Sequence, residues 1–219
     1  MLTPSTFSIV ACDLSTQSWG VAVASKFPAV GAVVPWAQVE AGAIATQSHA
    51  NTTYGPRGLE LLAAGKSAEE ALDELIASDE MRDHRQAGVV DASGNSATYT
   101  GASCSDWAGG LTGPGYAIQG NILVGPQVVQ SMVQAYQNAS GDLPTRLYAA
   151  LLAGDQAGGD RRGRQSAAIL VVKPGGGYSG YNDIWIDYRV DDHPNPVPRL
   201  GELLEMHQLY FGKSPEADR

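Results

Sequence analysis

Residues 6–26 read TFSIVACDLSTQSWGVAVASK and consist of two apolar runs separated by a short polar turn. The first run, Thr6–Asp13, is rich in β-branched residues. In the second, Gln17–Lys26, small residues at every second position alternate with larger ones, which is the period of a β-strand with one closely packed face. The connection is short enough for a hairpin. The fold is therefore expected to begin with two antiparallel strands.

Beyond this hairpin, strand patterns and helical patterns follow one another in blocks. The sequence Ser93-Gly94-Asn95 favours a second hairpin, and Ser67 with Glu70 forms a capping-box pattern at a helix start. The predicted strands are Thr6–Asp13, Gln17–Lys26, Ala29–Val34, Gly42–Ser48, Arg85–Asp91, Ser96–Thr100, Ser103–Trp107, Tyr116–Gln119, Gln165–Lys173 and Ile184–Val190. The predicted helices are Tyr54–Ala64, Ser67–Ser78, Pro126–Asn138, Leu143–Gln156 and Leu200–Phe211.

The order of the blocks predicts the fold class. A doubly wound parallel sheet would alternate one strand with one helix, whereas here groups of strands are separated by pairs of helices. This order fits an α+β protein in which two antiparallel sheets carry helices on both outer faces. No repeat or composition break calls for a second domain, and the Pro-rich piece Pro194–Pro198 is interpreted as a connector.

Composition excludes several classes of protein. The 219 residues include 26 glycines, which disfavour an all-helical bundle, and the formal net charge of −9 argues against nucleic acid or an anionic membrane surface as a partner. No apolar run reaches the roughly eighteen residues of a membrane span. The amino terminus carries no basic segment of a secretory signal, so a cytoplasmic location is expected. Two cysteines are too few for a disulfide framework, and Cys12 is expected to be a buried thiol.

Polar side chains gather at the predicted strand ends and in loops. The clusters are Thr6 with Ser8 and Asp13, then Ser25–Lys26, Thr46–Asn51, Gly159–Ser166 and a smaller one at Gln119–Asn121. Such residues ordinarily cap, turn or face solvent, and that interpretation stays open for each of them. The four histidines lack HxxxH or HxH spacing, and no phosphate-binding or dinucleotide motif is present. Neither a metal site nor a cofactor is predicted.

The cluster Gly159–Ser166 is the most specific of these. It places three arginines within eight residues, and the planar guanidinium fork suits a phosphate or a carboxylate. The alternative is that Asp160 pairs with one of the arginines and that the loop is structural.

Six stretches together resemble an uncharacterised bacterial family, the domain of unknown function DUF1028, which is grouped with the N-terminal-nucleophile (Ntn) hydrolases. They are TFSIVACD, GVAVASKFPAVGAVVPWA, ATQSHANTTYGPRGLELLAAG, RQAGVVDASG, GPGYAIQGNILVGP and GGDRRGRQSAAILVVK, and they run in order from Thr6 to Lys173. The grouping implies a four-layer αββα sandwich. On this basis residues 1–5 are an N-terminal extension and residues 6–190 an Ntn-hydrolase-like domain. The connector and terminal helix, residues 191–219, belong to the same domain.

The resemblance also implies a mechanism, in which the first residue of the mature chain attacks an amide carbonyl and its own α-amino group is the general base. Thr6 occupies the matching position. Lys26 is placed to depress a neighbouring pKa, and Asp13, Gln47 and Asn121 to orient groups or stabilise an oxyanion. Asp160 with Arg161 and Arg162 would bind an anionic end of the substrate.

The chain departs from the family pattern at its start. Five residues, Met1–Ser5, precede Thr6, and Leu2 is too large for ordinary removal of the initiator methionine. The extension is explained by a mis-assigned start, by a pro-segment cleaved before Thr6, or by a member that does not use this mechanism.

Three functions follow as hypotheses. The first is an Ntn-type amide hydrolase acting on a small polar or peptide-like substrate through Thr6. The second is a non-catalytic protein on the same fold that binds a small anion through Arg161 and Arg162. The third is a structural role in a homo-oligomer.

Overall fold

The computed structural model describes residues 6–212, and the chain within this range alternates strands with pairs of helices. The strands are β1 Thr6–Asp13, β2 Ser18–Ser25, β3 Pro35–Gln38, β4 Gly42–Ser48, β5 Arg85–Asp91, β6 Ser96–Thr100, β7 Gly109–Gly113, β8 Tyr116–Asn121, β9 Ser166–Val172 and β10 Ile184–Val190. The helices are α1 Tyr54–Ala63, α2 Ala68–Ala77, α3 Gln127–Asn138, α4 Leu143–Gln156 and α5 Pro196–Phe211.

All strand pairs are antiparallel, and they form two sheets. The larger sheet has the order β10-β9-β2-β1-β8-β7, and the smaller one has the order β3-β4-β5-β6. The opening hairpin is confirmed: Thr6 lies opposite Ser25, and Asp13 opposite Ser18. On its other side β1 pairs with β8, which places Thr6 opposite Asn121. The first residue of β1 is therefore held from both sides in the centre of the larger sheet.

The fold has four layers, and a buried apolar cluster lies between each layer and the next. One lies between the larger sheet and helices α3, α4 and α5, and a second lies between the two sheets. The third lies between the smaller sheet and helices α1 and α2. Each amphipathic helix thus buries its apolar face once against a sheet. The predicted α+β fold, a four-layer αββα sandwich of two antiparallel sheets flanked by helices, is confirmed.

Local sequence signals explain where individual elements begin. The capping box of α2 forms as predicted, because the Ser67 hydroxyl accepts a hydrogen bond from the Glu70 backbone while the Glu70 carboxylate accepts one from the Ser67 backbone. Gly20 permits close packing of α4 on β2, since a Cβ there would lie 3.0 Å from Leu147 Cδ1 and 2.7 Å from the Leu170 carbonyl oxygen. The small residue at this position therefore brings helix and sheet together.

Three expectations were wrong in detail. The predicted strand Ala29–Val34 contains a 3₁₀ turn at Val30–Ala32, because Ala29 adopts a left-handed conformation with φ of 49°. Ser103–Trp107 is irregular, and the strand lies after it at Gly109–Gly113. Helix α5 begins at Pro196 rather than Leu200, so part of the proposed connector forms its first turn, where proline is favoured.

None of the helices within residues 6–212 combines the length and the apolar character that a membrane-crossing segment needs.

Candidate active site

The space between the two sheets is apolar at one end and polar at the other. At the apolar end, valines and alanines of both sheets meet. At the end where β1 begins, the two-residue period turns polar side chains into the same space. We call this set the polar cluster, and each member is at most 1% exposed: Thr6, Ser8, Gln47, Gln86, Gln119 and Asn121.

Short hydrogen bonds join the two sheets through this cluster. Gln119 Nε2 donates to Ser8 Oγ over 2.6 Å, and Ser8 Oγ donates to Gln47 Oε1 over 2.6 Å. Ser8 and Gln119 lie on the larger sheet, and Gln47 lies on the smaller one. Buried polar groups are stable only when they are hydrogen-bonded, so this chain of donors and acceptors fixes the sheets relative to each other.

Gln86 on β5 is the centre of the cluster. Its Oε1 accepts from Gln47 Nε2 at 2.8 Å and from Asn121 Nδ2 at 2.9 Å. Its Nε2 donates to the Gly120 carbonyl at 2.8 Å and to Thr100 Oγ1 at 2.9 Å. One buried amide therefore orients both of the amide side chains that the sequence placed at this site.

The hydroxyl of Thr6 faces the end of β2. Thr6 Oγ1 donates to Ser25 Oγ over 3.5 Å, and Gln47 Nε2 donates to the Thr6 carbonyl over 3.4 Å. Thr6 is completely buried. Its surroundings thus supply one hydroxyl neighbour and one amide donor from the facing sheet.

The arginine-rich loop lies beside the same end of the larger sheet. Asp160 is buried and accepts from the Lys26 backbone N–H at 2.8 Å, while Arg162 Nη2 donates to its carboxylate at 3.0 Å. A bridge between Leu123 and Asp160 ties the loop to the end of β8. Asp160 therefore pairs with an arginine and also positions the chain after β2.

A pocket of about 260 Å³ opens at this point. Its walls include Ser25, Asp160 and Arg164. Arg164 Nε donates to the largely buried Asp155 carboxylate at 2.6 Å. Two of the three loop arginines are thus engaged with carboxylates, whereas the exposed Arg161 shows no such ion pair within residues 6–212.

Comparisons with known proteins identify the family of this chain. A family model described as "Family of unknown function (DUF1028)" matches residues 6–200. The chain belongs to this family. A crystal structure of a DUF1028 protein from Silicibacter pomeroyi is similar to it, with 31% sequence identity, a TM-score of 0.85 and coverage of 98% of this chain and 92% of that chain. No curated protein matches the sequence.

The fold of this DUF1028 protein brings most of the predicted site residues to one end of the sandwich. Gln47 contacts Thr6 directly, and Asn121 lies opposite Thr6 in the adjacent strand. Lys26 follows Ser25 and is near Thr6 along the backbone, but its side chain is exposed and its Nζ donates to the Arg164 carbonyl at 3.3 Å. The Lys26 ammonium thus lies with the arginine-rich loop rather than between the sheets.

Asp13 does not lie with the other predicted site residues. It is the last residue of β1 and Thr6 is the first, so seven residue steps, roughly 23 Å, separate them along the strand. Its carboxylate accepts hydrogen bonds from the backbone N–H and the hydroxyl of Ser15 in the turn after β1. These bonds, the larger effect being that of the Ser15 hydroxyl, lower the pKa of Asp13. Asp13 stabilises a turn at the opposite end of this DUF1028 protein.

Gln86 is a residue of the site that was not predicted from the sequence. The signal was available in the alternation of β5, because Gln86, Gly88 and Val90 share the face that meets the larger sheet. Gly88 leaves room there for a neighbour, since a Cβ at this position would lie 2.1 Å from Gln119 Oε1. In this strand the glutamine two residues before the glycine is the long polar side chain that crosses between the sheets.

Two other kinds of chemistry, metal binding and catalysis by the Cys12 thiol, find little support in the described residues. Within residues 6–212 no group of three or more histidine, cysteine or carboxylate side chains is arranged to hold a metal ion. Cys12 is buried as predicted, and burial, reinforced by Asp91 and Asp13, raises the pKa of its thiol to about 11. A thiol with that pKa is protonated at neutral pH and is a poor nucleophile.

Proposed function

We propose that this DUF1028 protein is an amide hydrolase of the Ntn type, with Thr6 as its nucleophile. The observation that carries the proposal is the position of Thr6. It begins the central strand of the larger sheet, beside Ser25, and receives an amide donor from the facing sheet. The four-layer sandwich of two antiparallel sheets is the architecture that the family resemblance implies for such enzymes.

The chemistry follows from these groups. Thr6 Oγ1 attacks the carbonyl carbon of an amide, and the hydroxyl proton passes to the α-amino group of Thr6. In this proposal the amides of Gln47 and Asn121 each keep one N–H on Gln86 Oε1 and use the other to stabilise the negative charge that develops on the carbonyl oxygen. The proton then goes to the leaving amine, and water hydrolyses the resulting ester to release a carboxylic acid and restore Thr6.

This mechanism requires a break in the chain before Thr6. A free α-amine has a pKa of roughly 7.7–8.0 and serves as a base near neutral pH, whereas the peptide nitrogen between Ser5 and Thr6 does not. The active form is therefore a protein that begins at Thr6.

The loop beside the site favours an anionic substrate. Asp160 and Asp155 neutralise Arg162 and Arg164, which leaves the exposed Arg161 of the loop and Lys26 after β2 as surplus positive charge at this end of the sheet. This surplus stands out in a protein of net charge −9. A carboxylate on a small polar or peptide-like amide is the complementary group.

The test compares three proteins on a panel of small amides that carry a carboxylate. Protein beginning at Thr6 is prepared by cleaving an N-terminal fusion and is compared with its Thr6→Ala and Thr6→Ser variants. Loss of the nucleophile is expected to reduce turnover by about 10⁴-fold or more, and serine to preserve part of it. Equal activity of the alanine variant, together with an intact Met1 by mass spectrometry of protein from its native host, contradicts the proposal.

A second function is supported by the same loop. A protein that binds a small anion without turnover needs the surplus cations Lys26 and Arg161 but not a free amine at Thr6. Thermal stabilisation by small carboxylates or phosphate, abolished in Arg161→Ala and unaccompanied by turnover in the Thr6-initiated protein, favours this alternative.

A further inference from the structure

The seven-residue strand β10 forms one edge of the larger sheet, and among residues 6–212 its strand partner is β9 alone. The other sheet edges are protected in familiar ways. Strand β7 is short and contains three glycines, β3 is four residues long and begins with Pro35, and β6 packs beside β7. Strand β10 contains neither proline nor glycine, and its sequence IWIDYRV favours β-structure. Its register against β9 shifts between Ile184 and Ile186, but residues 186–190 pair regularly with β9, so this part of β10 is the edge most open to another strand.

Exposed apolar side chains adjoin this edge. Tyr178 is 76% exposed, Tyr181 88% and Leu209 73%. Contacts of Tyr178 with Phe211, and of Tyr188 on β10 with His207 on α5, connect these side chains to the strand. A groove of about 490 Å³ runs between β10, residues 176–179 and the end of α5. An apolar surface beside an open strand edge is typical of a protein interface.

The charged side chains of β10 favour pairing with a second copy of the same strand. Asp187 and Arg189 project from one face of the strand, and Tyr188 between them projects from the other. If two copies of β10 pair antiparallel about a two-fold axis at Tyr188, each Asp187 lies opposite the partner's Arg189. Ile186 then lies opposite Val190 of the partner subunit. Pairing about either charged residue would instead set like charges opposite each other.

We propose that this protein forms a two-fold symmetric dimer in which β10 strands of two copies pair about Tyr188 and join the larger sheets into one. The interface is isologous, because one surface patch serves both copies. This inference does not depend on the proposed hydrolase activity.

Charge reversal tests the pairing. Asp187→Arg or Arg189→Asp turns both symmetric charge pairs into repulsive ones, and the combined variant restores both. Analytical ultracentrifugation of the wild type is expected to give a dimer, each single variant to raise its dissociation constant by about 30-fold, and the combined variant to recover it. Lys66→Glu, which breaks the exposed ion pair with Glu74 far from this edge, is the matched control and stays dimeric.

Cysteine crosslinking tests the register independently of charge. The Tyr188 Cα atoms would be about 4.5–5.5 Å apart across the axis, within disulfide reach, so Tyr188→Cys is expected to crosslink under mild oxidation. Asp187→Cys is the control, because its symmetric Cα separation of roughly 8 Å exceeds the limit of about 7 Å. A monomeric wild type, single charge variants that stay dimeric, a combined variant that does not recover, or equal crosslinking at both positions would each overturn the proposal.

Discussion

Replacing Gln86 by leucine should destabilise the protein more than any single surface change. Gln86 is completely buried, and its amide makes three hydrogen bonds of 2.8–2.9 Å to buried groups, namely Gln47, Asn121 and the Gly120 carbonyl. Leucine has a similar volume but offers no donor or acceptor. Each lost bond of this kind costs about 1–1.5 kcal/mol, so the free energy of unfolding should fall by about 3–5 kcal/mol.

Equilibrium unfolding in urea measures this change. A domain of this kind has about 5–15 kcal/mol of stability, so the variant should fold and show a lower midpoint with a similar slope. Gln165→Leu is the matched control, because the Gln165 amide makes an exposed bond of 3.2 Å to Asp192, and its effect should stay within about 0.5 kcal/mol. A loss below about 1 kcal/mol in Gln86→Leu would show that the polar cluster does not hold the sheets together.

Three further predictions concern other parts of the fold. Ser67→Ala removes the capping box of α2 and should cost about 1 kcal/mol in urea unfolding; an unchanged midpoint would contradict this. Burial acts to raise the pKa of Asp79, but hydrogen bonds, that from Arg85 foremost, outweigh it and lower the pKa. Stability from Asp79 is therefore present above its unfolded pKa of about 3.9 and is lost as pH falls through the folded value, so Asp79→Asn should flatten the acid limb of a stability–pH profile. Gly88→Ala should displace the Gln119 amide, 2.1 Å from the new Cβ, and cost about 1–3 kcal/mol in thermal unfolding; an unperturbed melting curve would refute this.

The sequence predicted the fold well where period and turn chemistry agreed. The hairpin of β5 and β6 has the bounds expected from its alternation and from the turn at Ser93-Gly94-Asn95. The sequence was less informative where pairing with a neighbouring strand outweighs the local preference of the residues for a conformation. Strand β7, Gly109–Gly113, contains three glycines and little β-propensity, yet it forms a strand because β8 pairs with it.

The sequence predicted correctly those site residues that lie at strand ends meeting in space. Thr6, Gln47 and Asn121 fall at one end because antiparallel neighbours bring their termini together. Asp13 was misplaced because proximity in sequence was taken for proximity in space, although an eight-residue strand separates its two ends. Gln86 escaped notice because a single glutamine in an apolar strand has no motif, and its meaning depends on which side chains the second sheet places opposite it.

The amides of the polar cluster also discriminate against misassembled forms. If β5 slipped by one residue against β4, Gln86 would turn outward beneath α2, and Ala87 would take its place between the sheets. Gln47 would then face a methyl group and lose its acceptor, which is costly away from water. A purely apolar interior would tolerate such a slip far better. The polar end of the sandwich thus disfavours this slipped register, because the native one gives the buried amides of Gln47 and Asn121 an acceptor in Gln86.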